Sequence, residues 1–372
     1  MKKLLYISFE DASNDASGVN KKIKGHIRTF LDEGYSVDLI AVFGDDIILL
    51  QNLSNRKIIS SSFNKRITLC NWVAKNSYNY NFAYIRFQFF CPFVLRMLTA
   101  LKQESVKVVM EFPTYPYCNE LRQQGLRGVP KKIIDGIFAK YCSRLIDLFV
   151  APLYEGTILG KECKSIRNGI DFKRNTIRQP INGKENQLHL LAGAMMSPWH
   201  GYDRLIKGMY HYYKNNGSRD IVFHLVGCGT ATQFYQNLTQ KYGLIDKVMF
   251  HGNKFGVELE YFYNIADIGI SALGSHRKCI YKLNTLKVLD YVSKGIPVVC
   301  EPGEVSIPDK SKYRLTVPAD DSDIDIERLI RFYDEIYSSS DSEFVAENIR
   351  KECIESCSIK AGIQSVLDYY SI

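Results

Sequence analysis

The feature that most limits the fold is an alternation. Short apolar runs recur between segments of helical period along most of the chain. In the first half they are KLLYISF, SVDLIAVF, FAYIRFQ, KVVMEF and LFVAPLY. In the second they are LHLLAGAM, IVFHLVG, KVMFHG, IGISAL, IPVVCE and RLTVPA. Runs this apolar suit strands covered on both faces, as in a parallel sheet. The segments between them carry one apolar stripe each. Ile23, Ile27, Phe30 and Leu31 form one, closed by Gly34; Leu205, Ile206, Met209, Tyr210 and Tyr213 form another, ending before Gly217. The alternation breaks at the polar stretch 173–187, which holds Pro180 and Gly183, and restarts near residue 188. We read an α/β chain of two similar domains, 1–178 and 186–340, with a cleft between them. A helical segment, 341–372, is expected to pack back across the linker onto the first domain.

Size and composition agree. A chain of 372 residues accommodates two domains. The net charge of +8 favours anionic partners weakly, and no nucleic-acid recognition module is recognisable. Ten cysteines show neither CxxC pairs nor zinc spacing. The N-terminal apolar run turns polar at Glu10, too early for a signal peptide, and no stretch approaches the ~18 apolar residues of a spanning helix. Reduced thiols in a cytoplasmic protein are the expectation.

Five stretches carry candidate chemistry. In HLVGCGTATQF a strand runs into Gly227-Cys228-Gly229 and then a helix, which suits a backbone approaching an anion or forms an ordinary tight turn. In AGAMMSPWHGYDRLIKG a loop with Trp199, His200 and Gly201 follows a strand, where open parallel sheets bind ligands; Trp199 capping the core is the alternative. In SALGSHRKCIYKLNTLKVLDYVSKGIPVV, His276, Arg277 and Lys278 precede a helix that starts at Asn284 or Thr285. Leu286, Leu289 and Val292 can face the core, while Lys287, Asp290 and Lys294 share another face. Basic residues before a positive helix terminus are unfavourable unless an anion is bound; a solvated basic loop is the plain alternative. In VVMEFPTYPYCNE, Glu111 can orient a hydroxyl or act as a base, and Tyr115 and Tyr117 can stack on a sugar or pack inward. In EDASNDASGVNKKIKGH, a loop enters a helix through Gly18, with Lys21 and Lys22 placed for an anion at the cleft or simply solvated. No DxD motif holds a metal in a strand-end loop; Asp45-Asp46 and Asp320-Asp321 read as surface turns.

Taken in order, IRNGID (166–171), WHGYDRLIKG, HLVGCG, VMFHGN, ADIGISALGSHRK and LKVLDYVSKGIPVV resemble bacterial GT-B glycosyltransferases. The resemblance is to family 4 (group 1) enzymes of capsule, O-antigen and exopolysaccharide assembly, and it covers essentially the whole chain. It implies two Rossmann-like domains with parallel sheets facing across a central cleft. It also implies a nucleotide-sugar donor on the C-terminal domain, a saccharide acceptor (lipid-linked in this branch) on the N-terminal one, and transfer with retention. On this resemblance Gly18, His200, Gly227, Gly229, Asn253, Arg277, Lys278, Asn284, Thr285, Leu286, Lys287 and Asp290 bind the donor. Asp290 stands where the family has a ribose-binding glutamate. Glu111, Tyr115 and Lys282 are the catalytic candidates, and Lys21, Lys22 and Tyr117 the acceptor candidates. Neither a cofactor nor a metal is expected.

Two departures stand out. The family's sugar-contacting glutamate, eight residues before the ribose acid, falls on Lys282. Its diphosphate-binding Arg and Lys fall near Ala194 and His200. A donor with an anionic sugar is one reading of Lys282, and neutralisation of the diphosphate another. A non-catalytic GT-B binding partner is the rival of a different class. A dehydrogenase fits the GxG turn but lacks the acidic residue expected ~20 positions later. PKKIIDGIFAKYCSRLIDLF (130–149) either lies on an anionic bilayer at the inner face of the cytoplasmic membrane or packs on the core with a solvated basic face.

Overall fold

The structure, a computed structural model, describes residues 2–14, 17–61, 64–115, 128–181, 187–338 and 340–371. It divides into two compact units, Met1–Asn168 with Ile359–Ile372, and Gly169–Ser358. The boundaries therefore differ from those expected. The stretch expected as a linker begins inside the second unit, because its polar residues are ties. Arg178 donates to the Ala266 carbonyl and, at 3.0 Å, to the Tyr337 hydroxyl. The helix Ser342–Cys357 also stays with the second unit, where Arg350 donates to the Ser293 and Phe172 carbonyls.

The first unit holds β1 (Lys3–Asp11), β2 (Ser36–Phe43), β3 (Asp46–Gln51), β4 (Asn55–Ser61) and β5 (Phe82–Arg86). It continues with β6 (Lys107–Glu111), β7 (Leu148–Pro152), β8 (Gly156–Ile158) and β9 (Lys161–Ile166). The nine strands run β4-β3-β2-β1-β5-β6-β7-β9-β8. Its middle, from β2 to β9, is parallel. β3 and β4 add an antiparallel edge, and β8 another. On one face pack α2 (Lys65–Asn76), α3 (Pro92–Gln103) and α4 (Gly128–Ser143) through residues such as Leu69, Met97 and Cys142. The other core holds α1 (Gly18–Asp32) and the closing helix Gln364–Ser371 through Ile23, Phe30 and Tyr370.

The second unit holds β10 (Gln187–Gly193), β11 (Asp220–Val226), β12 (Val248–Phe250), β13 (Ile268–Ile270), β14 (Val298–Cys300) and β15 (Arg314–Thr316). All pair parallel, in the order β12-β11-β10-β13-β14-β15. Strand order reverses between β10 and β13, and such a switch point opens a crevice at the strands' carboxyl ends. The helices are α5 (Tyr202–Lys214), α6 (Thr232–Lys241), α7 (Val257–Ile265), α8 (Leu286–Lys294), α9 (Ile326–Tyr337) and α10 (Ser342–Cys357). α8 ends at Gly295, whose φ of 74° suits the left-handed cap. It buries Val288, Leu289, Tyr291 and Val292, whereas Leu286, expected in the core, is exposed. Leu286 sits in the first turn, ahead of the strip that meets the sheet.

One residue of α8 sets the geometry of the crevice. A Cβ on Gly269 of β13 would collide with the Tyr291 ring, so the missing side chain makes room for it. The ring is buried, and its hydroxyl accepts the Gly193 N–H at 2.9 Å at the end of β10. Gly269→Ala should displace Tyr291 and lower the stability of the second unit by about 1–3 kcal/mol. A thermal midpoint equal to that of the parent chain would contradict this packing.

Candidate functional site

A cavity of 360 Å³ opens at the carboxyl end of the second sheet. It is lined by residues 193–195, 226–228 and 253–255, with Lys287, Asp290 and Tyr291 among the helical contributors. Its floor is backbone brought into contact with backbone. Gly227 has φ of 119°, and a Cβ there would strike the Ala194 carbonyl. A Cβ on Gly229 would strike that of Met196. The Gly227 N–H donates to the Gly252 carbonyl at 2.7 Å. The loops after β10, β11 and β12 are thus fastened together, and the two glycines are needed for that approach in the folded chain itself.

Lys287 and Asp290, one helical turn apart, both face this cavity. The Lys287 ammonium donates to the Tyr202 hydroxyl at 3.1 Å. Burial pulls its pKa down to about 7, against the pull of the Glu304 carboxylate. Around neutral pH it therefore exchanges between charged and neutral forms. Asn253 also lines the cavity. Among the expected donor residues, Gly227, Asn253, Lys287 and Asp290 are those the structure gathers here.

The others are placed differently. Thr285 is the N-cap of α8 by its extended backbone, but its hydroxyl donates to Glu304 at 2.8 Å instead of capping. Asn284 donates to the Ser306 hydroxyl at 2.8 Å. Glu304, which the sequence did not single out, is buried and also accepts from the Ser306 hydroxyl (2.6 Å) and N–H (3.0 Å). It locks the loop after β14 onto the start of α8 and brings a carboxylate there. An acid four residues beyond the end of β14, next to Gly303, was the available signal. Lys282 is exposed, and no carboxylate pairs with it among the described residues.

The basic cluster before α8 is compensated internally, contrary to expectation. Arg277 forms two 2.9 Å bonds with Asp203 and one of 2.7 Å with Asp321, and donates to the Pro198 carbonyl. His276 meets Glu301 at 2.5 Å and Asp321 at 3.3 Å. Asp321 is thus a partner, not an idle turn residue. The Lys278 ammonium sits 3.1 Å from the centre of the Trp199 ring. Lys294 is buried and paired with Glu260. His200 accepts the Ser197 N–H at Nδ1 (3.0 Å) and stacks on Tyr202. Burial, with Lys287 and Lys278 beside it, pulls its pKa down to about 3. It stays neutral at physiological pH and supplies no cation.

In the first unit, Glu111 is fully buried. Lys22 and Arg86 each donate to one oxygen at 2.9 Å, and Tyr84 to the other at 2.8 Å. Burial alone would raise its pKa; the Lys22 and Arg86 charges hold it well below the usual carboxylate range. Such a carboxylate is a poor base, and Lys22 is its counterion instead of a free acceptor contact. Tyr115 packs on Tyr154 (centroids 4.4 Å apart) and Phe112, the inward alternative. Gly18 opens α1 behind Ser17, and Lys21 is exposed. Tyr117 lies outside the described residues.

Residues 173–308, which include the cavity, match the family "Glycosyl transferases group 1". No match was found among curated proteins. Solved structures similar to this chain include the sucrose-phosphate synthase of Thermosynechococcus elongatus (15% identity, TM-score 0.61, covering 100% of this chain and 98% of that one). A glycosyltransferase from Rickettsia africae is similar at 14% identity and TM-score 0.62, with the same coverage. So is HepE of Anabaena in complex with UDP and glucose, at 14% identity and TM-score 0.59, covering 100% of both chains. The likeness to these structures establishes the fold, which is GT-B. The group 1 match, on the unit that holds the cavity, supports glycosyltransferase activity.

Glu111→Gln would leave Lys22 and Arg86 buried beside a neutral amide. Stability should fall by about 3–5 kcal/mol, seen as a lower thermal midpoint. An unchanged midpoint would show that the cluster is not a paired charge network.

Proposed function

We propose that the chain is a retaining, metal-independent glycosyltransferase. It moves a sugar from a nucleoside-diphosphate donor to a lipid-linked saccharide in surface polysaccharide assembly, at the inner face of the cytoplasmic membrane. The observation that carries the donor half of this reading is Lys287 and Asp290 facing one cavity at the sheet's switch point. Asp290 accepts hydrogen bonds from the ribose hydroxyls. The backbone at 253–255 meets the base, and Gly227 lets the main chain approach the ribose-phosphate. The diphosphate lies at the first turn of α8, where the helix dipole favours an anion; the Thr285 N–H at the cap is already taken by Glu304. As the bond between the anomeric carbon and the phosphate oxygen breaks, the acceptor hydroxyl oxygen bonds to that carbon on the same face and its proton passes to the leaving diphosphate, which keeps the electron pair of the broken bond. A protonated Lys287 stabilises that charge. This places on Lys287 the cationic role that the family assigns near Ala194 and His200. The complex of HepE with UDP and glucose supports the class of donor.

Lys282 is given the donor sugar, as the partner of a carboxylate on a uronic acid. Lys282→Glu should then shift preference in a donor panel towards neutral sugars. Unchanged preference and turnover would remove that assignment, and weaker binding of the free nucleoside diphosphate would assign Lys282 to the phosphates. A non-catalytic donor-binding protein is the second reading, motivated by Lys282 and Ala194; it predicts nucleotide-dependent stabilisation without transfer to any acceptor.

The protonation of Lys287 supplies a sharper test. Its pKa near 7 lies below that of a lysine in water, and a bound diphosphate raises it again. Diphosphate binding should therefore take up a proton above pH 7. Affinity should fall with rising pH, by up to about tenfold per unit until the bound-state pKa is reached. Lys287→Met should flatten that slope, and Asp290→Ala should weaken binding at every pH. Calorimetry in buffers of different ionisation enthalpy measures the proton directly. Binding with no proton uptake would exclude this role for Lys287, and no thermal shift with any nucleoside diphosphate would count against the whole reading.

A further inference from the structure

Three imidazoles of the second unit form one hydrogen-bonded row. His189 Nδ1 and His224 Nε2 are 2.9 Å apart, and His224 Nδ1 and His251 Nε2 are 3.0 Å apart. The rings also stack, with centroids 5.2 Å apart at both steps. Strand register explains the alignment. His189 pairs across with Val222, and His224 stands two positions further on; His224 pairs with Met249, and His251 again stands two further. Side chains on one face of a sheet recur every second residue, so the row climbs diagonally from β10 over β11 to the end of β12. It starts in the interior, with His189 and His224 buried, and reaches the carboxyl end of the sheet at the half-buried His251.

That end is a wall of the donor cavity. Gly252, next in the chain, accepts the Gly227 N–H, and residues 253–255 line the cavity. Phe262 of α7 covers the row, 4.4 Å from the His251 ring and 5.9 Å from that of His224. Leu259 and Tyr263 of the same helix line the cavity. The row thus supports this side of the site from beneath.

Proton counting limits what the row tolerates. An imidazole carries one N–H when neutral and two when charged. Each of the two N···N contacts needs one proton and has no room for two. A neutral row meets this, with its third proton on one outer nitrogen. One added proton goes to the other outer nitrogen, and both contacts survive. A second added proton sets two N–H groups against each other, and one contact breaks. Surrounding charge decides which. Near His189, the Asp267 carboxylate accepts the His189 N–H at 2.8 Å, and the Asp220 carboxylate, paired with Lys247, interacts with the charge of its ring. Near His251 stands Lys254, itself paired with Glu258 at 2.7 Å; burial and the Lys254 charge pull the His251 pKa below its ordinary value. Glu260, the other acid of α7, is taken by Lys294. The first proton therefore belongs on the His189–His224 side, and the second breaks the contact under the cavity wall.

We propose that His224 is a positioning residue of the donor site: through His251 it holds the 252–255 wall in place, and acid releases the wall by forcing a second proton into the row. The ligand is the nucleotide assigned above, so this rests on the donor reading, but the wall itself is observable without a ligand. The closed row binds fewer protons than the open one, so closure is lost as pH falls. Lys287 weakens binding as pH rises, and affinity thus declines at both ends of the range.

The test is amide hydrogen exchange of the full chain without nucleotide, read by mass spectrometry and corrected for the intrinsic pH dependence of exchange. Between about pH 7.5 and about pH 5, peptides covering 248–256 should lose protection by up to about tenfold per unit for each proton taken up, while those covering β14 keep theirs. His224→Gln, whose amide donates and accepts without titrating, should keep the wall protected throughout. His224→Phe, which keeps a ring without nitrogens, should leave it open throughout. Three results overturn the proposal: protection of 248–256 in the parent chain that ignores pH, an acid loss shared equally by β14, or an unaltered acid response in His224→Gln. Thermal shifts with UDP, ADP and GDP near neutral pH separate the two readings. A shift beside a wall that ignores acid removes the role of the row and leaves the donor site; no shift beside an acid-labile wall removes the donor site and leaves the row.

Discussion

The hydrogen bond from Gly193 to Tyr291 joins the parts on which the candidate site depends. It connects the end of the central strand β10 to the middle of α8, across a space that exists because residue 269 has no side chain. The Tyr291 ring is too large to relocate within a packed interior, so the height of α8 over the sheet is fixed. Lys287 and Asp290, four and one positions earlier on the same helix, inherit that height. The other wall is held by main chain, where Gly227 and Gly229 let adjacent loops touch. A cavity built in this way has little freedom to collapse when empty, which favours ligand binding by avoiding reorganisation.

Charge is distributed with the same economy. Many basic residues before and within α8 are engaged: Arg277 with Asp203 and Asp321, Lys278 with the face of Trp199, and Lys294, at the helix's far end, with Glu260. Lys287 differs in having a phenol as its hydrogen-bond partner. A desolvated ammonium beside a neutral group gains more from an incoming anion than one already paired, because no existing ion pair must be broken. The same contrast holds in the first unit, where Lys22 and Arg86 are closed around Glu111.

Much of the fold was legible because buried parallel strands are written as continuous apolar runs. The central strands of both sheets, the stripe on α1 and the glycine that ends α8 follow from local pattern. The antiparallel β3 and β4 did not, since an edge such as NRKIISS is mostly exposed and gives no sustained period. The site was legible where one helix carries it, as with Lys287 and Asp290. It was illegible where a side chain's partner lies far along the chain. Lys22 meets Glu111 across 89 positions and Arg277 meets Asp203 across 74, and no local rule distinguishes such a pair from two solvated charges. Glu304 was missed for the same reason: its role at the start of α8 depends on a loop returning beside it.

The first unit takes its last piece from the other end of the chain. Ile363, Val366, Leu367 and Tyr370 fill its core, and the Tyr370 hydroxyl donates to the Ala83 carbonyl at 2.8 Å. During synthesis, everything else in that unit emerges before the whole of 169–358 is made. At ribosomal rates the wait is on the order of 10–40 s. Through that interval one face of the first sheet lacks part of its cover, although the second unit has all its residues by Ser358. The unit made first is thus the one completed last, and it spends its youth with apolar surface open to chaperones, premature contacts or proteolysis.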